Sequence, residues 1–244
     1  GADDDFVDGS VTSTITVAVN GGSSDDAFDS VADQTVSVTT ADDDVAGFTI
    51  AETNGSTGVT ETGSTDLFAV VLNAQPSSDV VFAISSSDTG EATVTSSLTF
   101  TSANWDTPQN VTVTGVDDDP IDGDQTSTLT ISILDVVSDD DFDNVPDRTL
   151  SVTTTDDDVA GFTIAETDGS TGVDESGNTD TFTVVLNAQP TTDVVLSISS
   201  SDTGEATATS SLTFTTANWN SPKTVTITGC LLYTSDAADE RSSV

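Results

Sequence analysis

Apolar residues alternate with Thr and Ser in short runs: Phe68, Val70 and Leu72; Val80, Phe82 and Ile84; Leu98 and Phe100; Val111 and Val113; Leu129, Ile131 and Ile133; Leu150 and Val152. A period of two with small hydroxyl residues on the opposite phase predicts half-buried strands. Turn residues separate the runs at Ala74-Gln75-Pro76, Asp88-Thr89-Gly90, Thr107-Pro108 and Asp122-Gly123-Asp124. No window carries a 3.6-residue period. About seven short strands in roughly 110 residues predict an all-β, immunoglobulin-like antiparallel sandwich. Trp105 and Trp219, each in an Ala-Asn-Trp segment just before a strand, are expected to plug the edge of the core.

The pattern repeats. Phe48 and Phe162, like Trp105 and Trp219, stand 114 residues apart (162 − 48 and 219 − 105). The register holds without gaps through Ser85–Thr93 against Ser199–Thr207, and it extends to the N-terminal end, where Asp3–Gly9 falls on Asp117–Gly123. The chain therefore reads as tandem repeats. Residues 1–44 are the C-terminal part of one repeat, 45–158 a complete repeat, and 159–229 a truncated third. From Cys230 the sequence has no counterpart upstream, and its reverse translation looks like a transposon-type sequencing adapter read in frame. Residues 230–244 are accordingly expected to be an artefact and are left out of the fold reading.

Charge narrows the function. Three basic residues stand against 43 acidic ones, with no histidine, for a formal net charge of −40. Such a chain repels nucleic acid and anionic membranes, which bind through Lys and Arg clusters. Acidity with few aromatics also accompanies disorder, but here the apolar residues are patterned, which favours folding. No apolar run reaches membrane-spanning length. With Cys230 set aside, metal ions or the core itself must hold the domains. An enzyme is disfavoured, because without His, and with Lys223 as the only amine side chain, the familiar triads and amine nucleophiles are missing.

The acidic residues are placed, not scattered. Asp117, Asp118, Asp119, Asp122 and Asp124 lie between two predicted strands, and Asp156, Asp157 and Asp158 follow the last one. In a sandwich these segments can share one end of the domain. Unit charges about 4 Å apart repel by about 1 kcal/mol in water and by more where solvent is thinned, so convergence calls for a cation, and hard oxygen ligands suit calcium. The helix-loop-helix calcium pattern does not fit, since a loop starting at Asp118 meets Pro120 at its third position and Leu129 at its twelfth. The alternative is a solvated acidic coat. A further loop, Ser138–Asp147, is expected to be solvated, with a weak ion as a lesser alternative.

The strand followed by Asp-Asp-Asp and Ala-Gly-Phe, together with Asp-Asp-Asp, two residues, Asp and Gly-Asp, resembles Calx-beta domains, the calcium-binding immunoglobulin-like modules of sodium/calcium exchangers and many bacterial surface proteins. The resemblance covers 45–158 and both partial copies. It implies Ca2+ held by Glu61, Asp117, Asp118, Asp122, Asp156, Asp157 and Asp158, with Asp88 and Glu91 as further candidates. For the preceding copy it implies Asp3, Asp4, Asp8, Asp42, Asp43 and Asp44. In the third copy, Glu175 and the loop at Asp202 and Glu205 remain. Gln125 stands where the family usually has Glu, which implies fewer ions or weaker binding. The expected function is a calcium-stiffened spacer in a long, secreted or cell-surface bacterial adhesin-like protein. Its partners would be neighbouring repeats, with any host-surface or matrix ligand met through other domains. The alternative is a carbohydrate- or protein-binding module, for which Phe28 and Phe142 are the candidate loop aromatics.

Overall fold

The computed structural model describes residues 4–231. Its contacts divide the chain into two compact bodies, one holding the residues up to Asp117 together with Gln125–Thr155, the other Asp118–Asp124 together with the residues from Asp156 on.

In the first body, β1 (Val11–Val17) and β2 (Gln34–Thr40) form an antiparallel pair. This body continues with β3 (Phe48–Glu52), β4 (Thr57–Thr60), β5 (Thr65–Leu72), β6 (Val80–Ser86), β7 (Ala92–Val94), β8 (Ser97–Phe100), β9 (Gln109–Gly115), β10 (Gln125–Ile133) and β11 (Arg148–Thr155). They build one sheet in the order β4-β11-β10-β6-β8 and another in the order β3-β5-β9-β7. All pairings within them are antiparallel except β4 with β11. Every alternating run predicted from sequence is a strand whose apolar phase points inward. Phe68, Val70, Val80, Phe82, Phe100, Val111, Leu129 and Ile131 are almost wholly removed from solvent. Aromatic edges line the core: Phe48 of β3 meets Phe82 of β6 across the two sheets at 5.0 Å, and Phe82 meets Phe100 of β8 within its own sheet at 5.7 Å. Both pairs are T-shaped, the geometry that ring quadrupoles favour. Trp105 packs against this core as expected. The result is an all-β immunoglobulin-like sandwich.

Strands β4 and β7 escape the sequence pattern because Thr-Gly-Val-Thr and Ala-Thr-Val are too short to show a period. The turn into β4 places Asn54 at φ 59°, a left-handed conformation that Asn tolerates better than most side chains, and Asp168 repeats it at 58°.

In the second body, β12 (Phe162–Glu166), β13 (Thr179–Leu186), β14 (Val194–Ser197), β15 (Ala206–Ala208), β16 (Ser211–Phe214) and β17 (Lys223–Gly229) form the sheet β12-β13-β17-β15 and the pair β14-β16. These reproduce the β3-β5-β9-β7 sheet and the β6-β8 pair. Within this body, among the described residues, no strands correspond to β10 and β11, and the stretch equivalent to β4, left without a strand to pair with, is not a strand. Phe162, the counterpart of fully buried Phe48, is 52% exposed for the same reason. Trp219 packs against the smaller core of Val184, Leu186, Leu212, Phe214 and Val225.

Gly115, at the end of β9, is where a side chain cannot fit: a Cβ there would lie 2.1 Å from the carbonyl oxygen of Thr60. Gly115→Ala is expected to destabilise the complete repeat by about 1–3 kcal/mol, the usual cost of overpacking. Chemical denaturation checks this.

Candidate metal centre

Strand pairing brings the acidic segments together. β10 and β11 pair with Gln125 opposite Thr154, so the loop entering β10 and the chain leaving β11 meet at one edge. Asp156 fastens the two. Its Oδ2 accepts the Gly123 N–H at 2.8 Å, its Oδ1 accepts the Asp158 N–H at 2.8 Å, and its own N–H donates to Asp124 Oδ1 at 3.3 Å. Gly123 makes the turn with φ 75°, where a residue without Cβ is least strained. The same wiring recurs in the first copy: Asp42 accepts the Gly9 N–H at 2.7 Å and the Asp44 N–H at 2.9 Å.

Two glutamates come from the sandwich. Glu61, just after β4, has 0% exposure, and its N–H donates to the Thr155 carbonyl at 3.1 Å. The Glu91 carbonyl accepts the Val116 N–H at 2.9 Å and the Thr154 hydroxyl at 3.2 Å. Carboxylate oxygens of Glu61, Asp156 and Asp158 lie within 4.8 Å of one another, as do those of Glu91, Asp118 and Asp122. Oxygens on opposite sides of a calcium ion, each at 2.3–2.6 Å, are about 4.6–5.2 Å apart. The all-oxygen donor set and its spacing fit that ion. Asp117 and Asp157 are exposed and belong to neither group. Asp88 is exposed too, and its Oδ1 accepts the Gly90 N–H at 2.9 Å to hold its own turn.

The charges are under strain. Burial pushes the Asp118 carboxyl above its ordinary value, and Asp122, Asp158, Asp156 and Asp119 add to the rise. Its Oδ1 is buried without a hydrogen-bond partner among the described residues. A cation would relieve both penalties.

The flanking copies show parts of the same arrangement. Asp4, Asp8, Asp42, Asp43 and Asp44 line a cavity of about 240 Å³. Asp3 lies outside the described residues. In the third copy Glu175 is exposed, unlike its counterpart Glu61, and with Glu205 it lines an open cavity of about 650 Å³.

The Ser138–Asp147 loop departs from expectation. Asp139 is buried, not solvated: Oδ2 accepts the Ser77 hydroxyl and the Ser78 N–H, each at 2.8 Å, and Oδ1 accepts the Asp141 N–H at 3.1 Å. Burial alone would raise its pKa, but these bonds outweigh it and hold the carboxyl below its ordinary value. Position 141 contributes its backbone N–H, and Ala27 supplies the same bond to Asp25 at 2.9 Å in the first copy. Phe142 is 0% exposed and part of the core, which removes the main aromatic candidate for a recognition surface. Phe28 is 58% exposed. An acidic run looks solvated, which hides the burial of Asp139 and makes Phe142 read as a loop aromatic when it belongs to the core; the apolar residues Phe142 and Val145 within the loop were the available signal.

No protein-family model matches the chain, and no curated protein does. Among solved structures, it is similar to CBD12 from CALX1.2, with 18% identity over 79% of this chain and 76% of that one at a TM-score of 0.34. It is also similar to the apo-form Calx CBD1 domain, with 19% identity over 46% of this chain and 98% of that one at a TM-score of 0.33. A third is surface layer protein SbsC, domains 4-9, with 18% identity over 82% of this chain and 29% of that one at a TM-score of 0.32. In its acidic motifs the chain resembles Calx-beta domains.

The pKa directions give opposite pH dependences. Because the folded pKa of Asp118 is raised, its ionised form destabilises the fold at neutral pH, and that cost fades as pH falls through the folded pKa. Asp139, with its lowered folded pKa, stabilises above the unfolded value and loses this as pH falls through the folded one. In chelator, Asp118→Asn should therefore melt higher than the parent at neutral pH, by a margin that shrinks on acidification. Asp139→Asn should melt lower at neutral pH, with its deficit shrinking only in stronger acid. Thermal melts across pH check both.

Proposed function

We propose that this chain is a calcium-binding, non-catalytic spacer segment of an extracellular, cell-surface array of the adhesin type. The observation that carries the reading is the pair of carboxylate trios, Glu61 with Asp156 and Asp158 and Glu91 with Asp118 and Asp122, each within 4.8 Å. Calcium accepts six to eight oxygens in flexible geometry, whereas magnesium demands a small octahedron and keeps its waters. A wide, carboxylate-rich site therefore favours calcium.

Asp156–Asp158 is also the link by which β11 leads toward β12, with only three further residues before Phe162. An ion held there neutralises the repulsion and stiffens the link between successive repeats. Extracellular modules typically bind calcium with dissociation constants of about 0.1–1 mM, so such an array would be rigid outside the cell and slack where calcium is scarce.

Thermal melts of the whole chain at equal ionic strength test the reading. Calcium at about 100 times its dissociation constant adds about 2.7 kcal/mol per site, which should raise the melting temperature of the complete repeat by about 10 °C. Glu61→Gln and Asp118→Asn should each reduce the rise. Equal effects of calcium and magnesium, tracking ionic strength alone, would leave the acidic coat as the account.

A further inference from the structure

A main-chain contact recurs with the repeat and involves no carboxylate. In the first body, the Gln75 N–H donates to the Asp5 carbonyl at 2.7 Å, and Phe6 forms a parallel bridge with Gln75. In the second, the Gln189 N–H donates to the Asp119 carbonyl at 2.8 Å, and Pro120 forms the parallel bridge with Gln189. Each loop belongs to one repeat and each Gln to the next.

The receiving turn is built to stay in place. The Gln75 side-chain amide donates to the Ser102 carbonyl at 2.8 Å, and that of Gln189 to the Thr216 carbonyl at 2.8 Å. Leu72 and Leu186 donate their N–H groups to the carbonyls of Trp105 and Trp219, at 3.2 Å each. Both Ala-Gln-Pro turns are thus tied to the Ala-Asn-Trp loop behind them, with a backbone N–H left facing outward. A donor of this kind needs an acceptor when covered. The loop supplies one from its backbone, so its side chains can vary: Phe6 in one copy is Pro120 in the other. Proline costs nothing here because the bond uses the carbonyl of the residue before it.

We propose that the Ala-Gln-Pro turn of each repeat is a docking ledge whose occupant is the acidic loop of the preceding repeat. The array is then clasped once per repeat by main-chain pairing. This clasp is independent of any bound ion. It explains why the loop is held on one side by Asp156, or Asp42, and on the other by the next repeat.

Hydrogen–deuterium exchange of the full chain, resolved by NMR, tests the clasp. The Gln75 and Gln189 amides should each exchange about tenfold or more slowly than their intrinsic rates, the protection expected from one such bond. Deleting Asp119 and Pro120 should return Gln189 to its intrinsic rate and leave Gln75 slow. Amides of Val184 and Val225 report whether the second body remains folded. If the deletion unfolds it, scalar coupling across the hydrogen bond from the Asp119 carbonyl carbon to the Gln189 nitrogen in the parent chain decides. Intrinsic-rate exchange at either Gln, persistent protection of Gln189 in a folded deletion variant, or absence of the coupling would overturn the proposal.

Discussion

The antiparallel pairing of β10 with β11 is the constraint on which the acidic end of the repeat depends. With Gln125 opposite Thr154, the loop before β10 and the residues after β11 have to share one edge, and both are rich in aspartate. Folding the sandwich therefore concentrates negative charge that an unfolded chain would spread out. The energy for this comes from the apolar faces of two sheets, with Phe48, Phe82 and Phe100 interlocked between them. Part of it is stored as the raised pKa of Asp118. A carboxylate held in that state is poised for a cation, since an ion gains from the same proximity that the bare groups oppose.

The carboxylates divide the work. Asp156 and Asp42 spend both oxygens on backbone N–H groups and so shape the loop. Asp139 caps a short helical turn, Asp140–Phe142, and belongs to neither trio. Asp118, with a buried oxygen outside any hydrogen bond among the described residues and a pKa raised by burial and its acidic neighbours, sits in an environment that asks for an ion. The third copy shows the dependence from the other side. Glu175 is exposed where Glu61 is buried, because within the second body no strand equivalent to β11 is present among the described residues to pair with the segment before it.

Much of this was legible in the sequence. Alternation marks the long strands of the sandwich, and the 114-residue offset aligns equivalent positions along the chain. The convergence of Asp118, Asp122, Asp156 and Asp158 followed from placing two loops at one end of a sandwich. Other features were hidden for physical reasons. β4 and β7 are three or four residues long, below the length at which a period shows. Asp139 looks like a solvated acid until the Ser77-Ser78 turn, 61 and 62 positions earlier in the chain, folds over it. The ledge at Gln75 and Gln189 uses backbone atoms, which side-chain chemistry does not reveal. Asp88 and Asp117 carried the same acidic signal as the trios, yet local turns and exposure set them apart.

Calcium uptake by the intact chain, followed by titration calorimetry at fixed ionic strength with magnesium as the competitor, tests the central claim most directly. The account predicts saturable binding that magnesium does not displace at equal concentration and that Glu61→Gln weakens. Heat that never saturates, falls away with added salt and is the same for both ions would contradict it.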